Sequence, residues 1–511
     1  MIGLQKLVQR LGGELSLCVG DLTIREVQLD SRQVQPGDLF VAVQGGREDG
    51  NAYVQDAIAR GAAAVLTRGT QGREGTLEVQ GIPHWTHGRV RRTAGRAAAM
   101  AQGPPPGSLE VVGITGTNGK TTCAHLLGQL LETGGLAPAV LGTAGHRLSG
   151  GLRERATLTT PPAPELQRLL ARHQRAGGRS VVMEVSSHAL DQQRTAGVDF
   201  RVGIFTNLSR EHLDYHRDMR SYLAAKSRLF ENLTPGSTAV LNKDDPAWEH
   251  LARVAEYAGA RTITYSVQQT ADFMATGLRT DVAGSRFTFD GMGIFSTELR
   301  IPLRGRFNVQ NALAAIAAAH CLGVSPSTLL EGLTTFLPAP GRMEPVPCPG
   351  REFEIFVDYA HTPAALEQAL CALRESLGEP LPGRDGRAAQ LWVVFGCGGD
   401  RDRGKRSEMG RVACANADRV IVTSDNPRSE EPQAIAEDIL RGMSAGAGSD
   451  TCSVQLDRRK AIEFALREAR PGDVILVAGK GHETEQWVAG RALAFDDRVV
   501  IQEALCAGSS A

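Results

Sequence analysis

The chain has 511 residues, of which 42% are hydrophobic and 22% charged, the balance of a folded soluble protein, so global disorder is excluded. Its 56 basic residues against 57 acidic ones leave a net charge of −1, so no general nucleic-acid binder or membrane-surface binder is expected and any anionic ligand must be held by local groups. At about 100–200 residues per domain, the length predicts roughly three domains.

No run of about 18 apolar residues is present, so no membrane insertion is expected. The N-terminus carries charges inside its apolar stretch, which speaks against a secretory signal. Nine cysteines are scattered without a CxxC pair. That fits a reducing cytosol, and a cytoplasmic location, better than a disulfide framework or zinc site.

In the first part, residues 38–44 read as a buried strand ending in Gly45-Gly46, followed by a helix over 52–60 and a strand over 64–67. The cluster Gly103-Pro-Pro-Pro-Gly107 is a stiff breaker and marks a boundary. A strand at 109–115 follows, then a Gly-rich turn and a helix over 120–133. Beyond it, strands at 180–185, 202–206 and 238–241 alternate with helices at 164–176 and 222–233. Two β-rich runs near 285–303 precede an Ala-rich helix over 309–320. A second boundary and hinge is expected at 338–341, where Pro and Gly punctuate the chain. After it, strands at 391–395, 419–423 and 474–478 are separated by helical stretches. The alternation predicts parallel sheets covered on both faces. The expected fold is α/β in three domains: a small one over 1–104, a central one over 105–338 with a mainly parallel sheet around a phosphate loop, and a Rossmann-like one over 339–511.

The strongest local signal is Gly113-Ile-Thr-Gly-Thr-Asn-Gly-Lys-Thr-Thr122, between a strand and a helix. Glycines let consecutive N–H groups surround phosphate oxygens, and the helix N-terminus adds positive charge. Lys120 can reach the β- and γ-phosphates, and the Thr121 hydroxyl can ligate Mg²⁺. The usual pattern has a glycine where Ile114 stands, so this is a variant loop.

Glu184 ends a very apolar strand, where an acid is costly unless paired or metal-bound. The loop after the next strand carries Glu211-His-Leu-Asp214 and His216. If the two strands are neighbours, Glu184 and His212 reach the same sheet edge as the phosphate loop, the edge where parallel α/β sheets bind ligands. Carboxylates with nucleotide oxygens suit Mg²⁺, and a histidine can complete a second site.

Several segments together resemble the Mur ligase family in order and spacing. They are Asp30-Ser-Arg-Gln-Val-Gln-Pro-Gly-Asp-Leu-Phe-Val-Ala42, Thr115–Thr122, Met183-Glu-Val-Ser-Ser-His188, Asn207-Leu-Ser-Arg-Glu-His-Leu-Asp-Tyr-His216, Lys226 in Ala-Ala-Lys-Ser-Arg-Leu-Phe230, Gly305-Arg-Phe-Asn308 with Asn311, and Asp358-Tyr-Ala-His-Thr-Pro363. The resemblance covers nearly the whole chain. The related folylpolyglutamate synthetases share the phosphate loop but look unlike this N-terminal region.

The resemblance implies an ATP-dependent amide ligase of peptidoglycan precursor synthesis, acting as a monomer. It would phosphorylate the D-Glu γ-carboxylate of UDP-N-acetylmuramoyl-L-Ala-D-Glu, and a diamino acid amine would attack the acyl phosphate. Glu184, His212 and Lys226, the last carbamylated by CO₂, would hold Mg²⁺ with Thr121. The ATP site would comprise Thr115, Gly116, Thr117, Asn118, Gly119, Lys120, Thr121 and Thr122, with Asn308 and Asn311 at the adenine and Arg342, Asp358 and His361 near the ribose and phosphates. Leu29, Ser31, Gln44, Gly45 and Gly46 would hold the uridine diphosphate. Thr159, Thr160, Ser186, Gln192 and Arg194 would hold the muramoyl dipeptide. Some members have Asn before the paired Thr; here it is Leu158.

The specificity mark is Asp425-Asn-Pro-Arg428, which in this family resembles the signature of ligases adding meso-2,6-diaminopimelate. That amino acid is lysine with an extra carboxylate at its far end, and a planar guanidinium can pair with it bidentately. Asn426 would bond the same end, and Pro427 would stiffen the loop. Arg401, Gly479 and Glu483 would complete the pocket, with Glu483 on the distal ammonium. The alternatives are a lysine-adding ligase of the same family, which should not place an Arg at 428, and a P-loop NTPase switch without a ligase step.

Overall fold

The computed structural model describes residues 1–16, 20–45, 48–68, 81–103, 109–281, 283–291, 295–377, 388–443 and 451–507. Gly46, Cys18 and most of the boundary segment 103–107 lie outside them. The chain folds as three α/β domains, each built on its own sheet.

The N-terminal sheet has five short strands, ordered Glu14–Leu15, His84–Thr86, Ala64–Thr67, Leu39–Val41 and Val27–Gln28. The expected helix over 52–60 forms as a 3₁₀ turn, Gly50–Tyr53, running into Val54–Ala59. Asp49 caps the turn by accepting from Asn51 N.

The central sheet has eleven strands. Its middle is parallel, in the order Pro138–Gly142, Ser180–Glu184, Glu110–Thr115, Val202–Phe205, Thr238–Asn242, Arg261–Ser266 and Phe273–Asp281. The phosphate-loop strand therefore lies between the two strands that deliver Glu184 and the 206–216 loop, as the shared-edge condition required. Alternate residues of this strand face opposite layers. Val112 and Ile114 pack with helices Lys120–Thr133 and Arg306–Cys321. Val111 packs on the other face, with Leu166 and Leu229. Helix Arg306–Cys321 is alanine-rich because it is buried nearly all round.

The two β-rich runs expected near 285–303 form as Gly284–Gly291 and Phe295–Ile301, and an unexpected strand, Phe273–Asp281, precedes them and pairs antiparallel with the first. The unexpected strand escapes a period-two reading because its register shifts between Thr276 and Arg279, at Gly277 with φ +63°.

The C-terminal sheet is ordered Glu344–Val346, Glu354–Asp358, Val474–Ala478, Leu391–Phe395, Arg419–Val422 and Cys452–Val454, parallel except for its first strand. Its carboxyl edge faces the carboxyl edge of the central sheet. Between the two sheets, Gly341 has φ +65°, and a Cβ there would run into the backbone of Gly481 and His482. Gly341→Ala should cost at least about 1–2 kcal/mol from the left-handed backbone alone, and the clash adds to it. A loss of under 0.5 kcal/mol in chemical denaturation would contradict this account of the linker.

Candidate active site

The phosphate loop is held open by its neighbours. Thr117 N donates to Asn207 O (2.8 Å), Asn118 N to Asn207 Oδ1 (2.9 Å) and Thr206 Oγ1 to Asn118 O (2.6 Å). Gly116 and Gly119 have φ of +151° and +85°; a Cβ on the first would strike Thr206 Oγ1 and on the second Asn311 Oδ1. Asn311 thus backs the loop. Asn308, one turn earlier, spends its amide on Arg304 O, just ahead of its own helix (2.9 Å). Lys120 Nζ lies over the loop, donating to Gly116 O (2.9 Å) and Thr117 O (2.7 Å), and burial pushes its pKa down.

Glu184, only 2% exposed, is fixed by three donors: Thr121 Oγ1 (3.0 Å), Thr143 N (2.8 Å) and Thr143 Oγ1 (3.1 Å). Carboxylate and P-loop threonine therefore meet at the helix N-terminus. A Cβ on Gly142 would overlap Glu184 Oε1, so that glycine makes room for the acid. His212 sits in left-handed backbone (φ 55°) at the start of helix Leu213–His216, and burial lowers its pKa to about 4. It is a neutral imidazole at neutral pH, the form that binds metals.

The helix expected over 222–233 would place Lys226 in its first turns. Lys226 lies instead in the middle of Met219–Glu231, because Asp218 caps that helix several residues earlier by accepting from Ser221 N (2.7 Å). Lys226 is 1% exposed, with Nζ 4.3 Å over the Tyr222 ring. Desolvation first, then the like charge of Lys120, drives its pKa well down. Among the described residues no three His, Cys, Asp or Glu side chains form a ready metal cage.

Thr160 is buried and donates Oγ1 to Glu184 O (2.9 Å) while accepting from Ser186 N (3.1 Å). Thr159 Oγ1 lies 3.1 Å from Thr143 Oγ1, whose proton goes to Glu184. Arg194 donates to Thr160 O (3.0 Å) and to Gln192 Oε1 (2.8 Å). In the N-terminal domain, Ser31 is buried, Leu29 is partly so, and Gln44 and Gly45 are exposed, with Gln44 O accepting from Arg91 (2.5 Å).

One cleft of about 580 Å³ joins the two larger domains. From the central side it is lined by Leu158, Thr159, Ser186, Arg194, Glu211 and His212, and from the C-terminal side by His361, Arg401, Asn426, Arg428, Gly479 and Glu483. Asp425 also borders it, with Pro427 buried behind. Arg428 has φ 55°; its N donates to Trp487 O (2.9 Å) and its Nη1 to Gly399 O (2.7 Å). Asn426, expected against the ligand's far carboxylate, bonds Glu483 Oε2 instead (2.8 Å), an oxygen that also accepts from the buried Lys480 (2.9 Å).

Contacts across the domains pair expected residues, His361, Arg342 and Thr121, with each other or with Glu211, and one joins His482 to Thr143, neither of them expected. Glu211 accepts from His361 Nε2 (3.1 Å), and His482 Nε2 meets Thr143 O (3.1 Å). Burial opposes ionisation of Glu211, but the His361 hydrogen bond and the charges of His361, His212 and Lys120 hold its carboxyl well below the usual range. Arg342 links the domains by donating to Thr121 Oγ1 (3.0 Å) while stacking on Tyr359. Asp358 is spent on Met343 N (2.6 Å), and burial raises its pKa.

Three family models match the chain: Mur ligase family, catalytic domain, over residues 23–83; Mur ligase middle domain over 114–319; and Mur ligase, glutamate ligase domain, over 341–481. The UDP-N-acetylmuramoyl-L-alanyl-D-glutamate--2,6-diaminopimelate ligase of Alkalilimnicola ehrlichii is 44% identical over 499 residues, 95% of each chain. The protein of the same name from Chromobacterium violaceum is 43% identical over 490 residues, again 95% of each. A solved structure of a ligase of that name superposes with TM-score 0.70 at 34% identity, covering 99% of both chains.

Proposed function

This chain belongs to the Mur ligase family, and on that premise we propose that its interdomain cleft joins an amino acid to a nucleotide-linked peptide. It is an ATP-dependent, ADP-forming ligase that adds 2,6-diaminopimelate to UDP-N-acetylmuramoyl-L-alanyl-D-glutamate in peptidoglycan synthesis. The observation that carries the reading is the meeting, in one cleft, of the phosphate-loop side (His212, Glu211) with a cationic and carboxylate pocket (Arg401, Arg428, Glu483).

In this reading the D-Glu γ-carboxylate attacks the γ-phosphorus of ATP, and ADP leaves. The amine of meso-diaminopimelate then attacks the acyl carbon; the amide forms, the bond to phosphate oxygen breaks and the amine proton is lost. Both steps bring anions or crowded charge together, so fixed positive groups do most of the work. Lys120, the loop N–H groups and the helix N-terminus receive the phosphates. Arg194, braced by Gln192 and Thr160, and Ser31, Gln44 and Gly45 hold the UDP-dipeptide. Arg342, Asn311 and His361 border ATP.

Thr121, Glu184, His212 and Lys226 are the residues that would hold Mg²⁺, which when bound screens the approaching anions. A buried carboxylate and a hydroxyl fit a hard cation that keeps phosphate oxygens among its ligands, and the neutral imidazole of His212 would be its one nitrogen ligand. An ammonium does not fit it. Burial lowers the Lys226 pKa and so favours the free amine, the form that adds CO₂ and releases a proton to become a carbamate. That converts a misfit cation into an oxygen ligand.

An amino-acid panel with ATP and the UDP-dipeptide tests the reading. Meso-diaminopimelate should be turned over with stoichiometric ADP, and L-lysine on the order of 10⁴-fold less efficiently, as for sites built around a polar group the analogue lacks. Equal turnover of lysine would overturn the specificity, and ATP hydrolysis independent of both co-substrates would overturn the ligase.

A further inference from the structure

Helices Arg458–Glu468 and Asp497–Ala507 stand outside the cleft, yet their first residues form a fully buried ion pair. Both side chains are 0% exposed, and the pairing is bidentate: Nε to Oδ1 and Nη2 to Oδ2, each 2.8 Å. Taking two charges out of water is costly, and an apolar pair of similar volume is often as stable or more so. Stability alone therefore gives little reason for these residue types.

The remaining donors of Arg458 supply one. Nη2 also donates to Ala478 O (3.0 Å), and Nη1 to Ser424 O (3.5 Å). Those carbonyls immediately precede Gly479 and Asp425, where the two pocket loops begin. The strands leading into these loops, Val474–Ala478 and Arg419–Val422, are not neighbours, because Leu391–Phe395 lies between them. No ladder hydrogen bond joins those two strands; the chain segments meet farther out, where Arg428 N donates to Trp487 O (2.9 Å) and Gln486 Nε2 to Asp425 O (2.7 Å). A rigid five-donor fork can reach both.

The fit around it is close. A Cβ on Gly479 would come within 2.5 Å of Asp425 Oδ2, and one on Gly396 within 2.8 Å of Asp425 N. Small displacements of either loop would therefore be felt by the other. Beyond the two carbonyls, Asn426 and Glu483 are hydrogen-bonded across the same gap.

We propose that Arg458, oriented by Asp497, is a positioning residue for amino-acid recognition: it sets loops 424–428 and 479–483 at the separation that lets Arg428 and Glu483 grip one ligand. The proposal rests on the reading of those loops as the amino-acid pocket. Lysine at 458 keeps the charge and loses the fork. The double variant Arg458→Met with Asp497→Leu keeps the volume filled and removes both charges together.

Steady-state kinetics on all three substrates, with thermal melting, test it, and Arg428→Ala serves as the reference. Arg458→Lys should raise the diaminopimelate KM about 10- to 100-fold, the scale on which ångström misplacements act. The KM values for ATP and UDP-dipeptide and the melting midpoint should stay near those of the parent. The Met/Leu double variant should show the same selective rise with a preserved midpoint. An unchanged diaminopimelate KM in both overturns the proposal, as does an equal loss for all three substrates with a lowered midpoint. If Arg428→Ala raises that KM and the Arg458 variants do not, the positioning role alone falls. If Arg428→Ala leaves it unchanged too, the reading of the pocket falls with it.

Discussion

Lys226→Ala is expected to lower kcat by at least about 10³-fold, because charge stabilisation by a bound metal is worth several kcal/mol and each 1.36 kcal/mol is a decade. The side chain is buried mid-helix against Tyr222, whose hydroxyl lies 3.3 Å from Thr117 Oγ1 in the phosphate loop. Alanine is a good helix former, and a melting midpoint kept near that of the parent would mark the loss as chemical rather than structural. Two further results separate a carbamate from a plain lysine. A small carboxylic acid should restore part of the activity of the alanine variant by supplying the missing oxygen ligand. Depleting CO₂ should reversibly reduce the activity of the parent enzyme.

The pH dependence follows from the same burial. The lowered amine pKa raises the share of Lys226 present as the free amine, the form open to CO₂. As pH falls through that lowered value the ammonium returns and the carbamate is lost, so activity that depends on it should fall on the acid side. Full activity of Lys226→Ala, or an unmodified Lys226 in active CO₂-equilibrated enzyme, would end this account.

The parts of this architecture that sequence makes legible are those set by local chemistry. Strands buried on both faces, such as Val474–Ala478 and Leu391–Phe395, read as short apolar runs, and the phosphate loop announces itself through glycines required by its backbone. Element ends are less legible. Asp218 as a cap moves a helix start and with it the setting of Lys226. The strand Phe273–Asp281 hides behind a bulge. Least legible are partners made by domain contact. Glu211 is visible as one acid in a polar loop, and nothing local says that His361, 150 positions away, will bond to it. Thr143 carries no motif at all; it matters because the strand it follows lies beside that of Glu184. Asn426 shows the converse case: its loop lines the cleft, and its side chain turns back to hold Glu483.

Arg428→Ala should raise the KM for diaminopimelate about 30- to 1000-fold and leave the KM values for ATP and UDP-dipeptide nearly unchanged. The guanidinium is fastened at one nitrogen to Gly399 O, and its backbone is pinned to Trp487 and Ala489, while the side chain lines the cleft. A fork held this way is already oriented for a carboxylate, so little ordering is needed on binding. Its partner would be the far carboxylate of the ligand, remote from the nitrogen that attacks. The contact should then be alike in ground and transition states, the uniform-binding case that moves KM more than kcat. Hydrogen bonds to charged groups contribute about 1.5–3 kcal/mol each, and losing a bidentate pair in a partly closed cleft should cost about 2–4 kcal/mol, which at 1.4 kcal/mol per decade gives the stated range. Glu483, still braced by Asn426 and Lys480, would continue to bind the distal ammonium. Lysine should therefore gain relative to diaminopimelate, since it shares that ammonium and lacks only what Arg428 reads. An unchanged diaminopimelate KM in Arg428→Ala would reduce Arg428 to a turn residue and remove the main physical ground for discrimination against lysine.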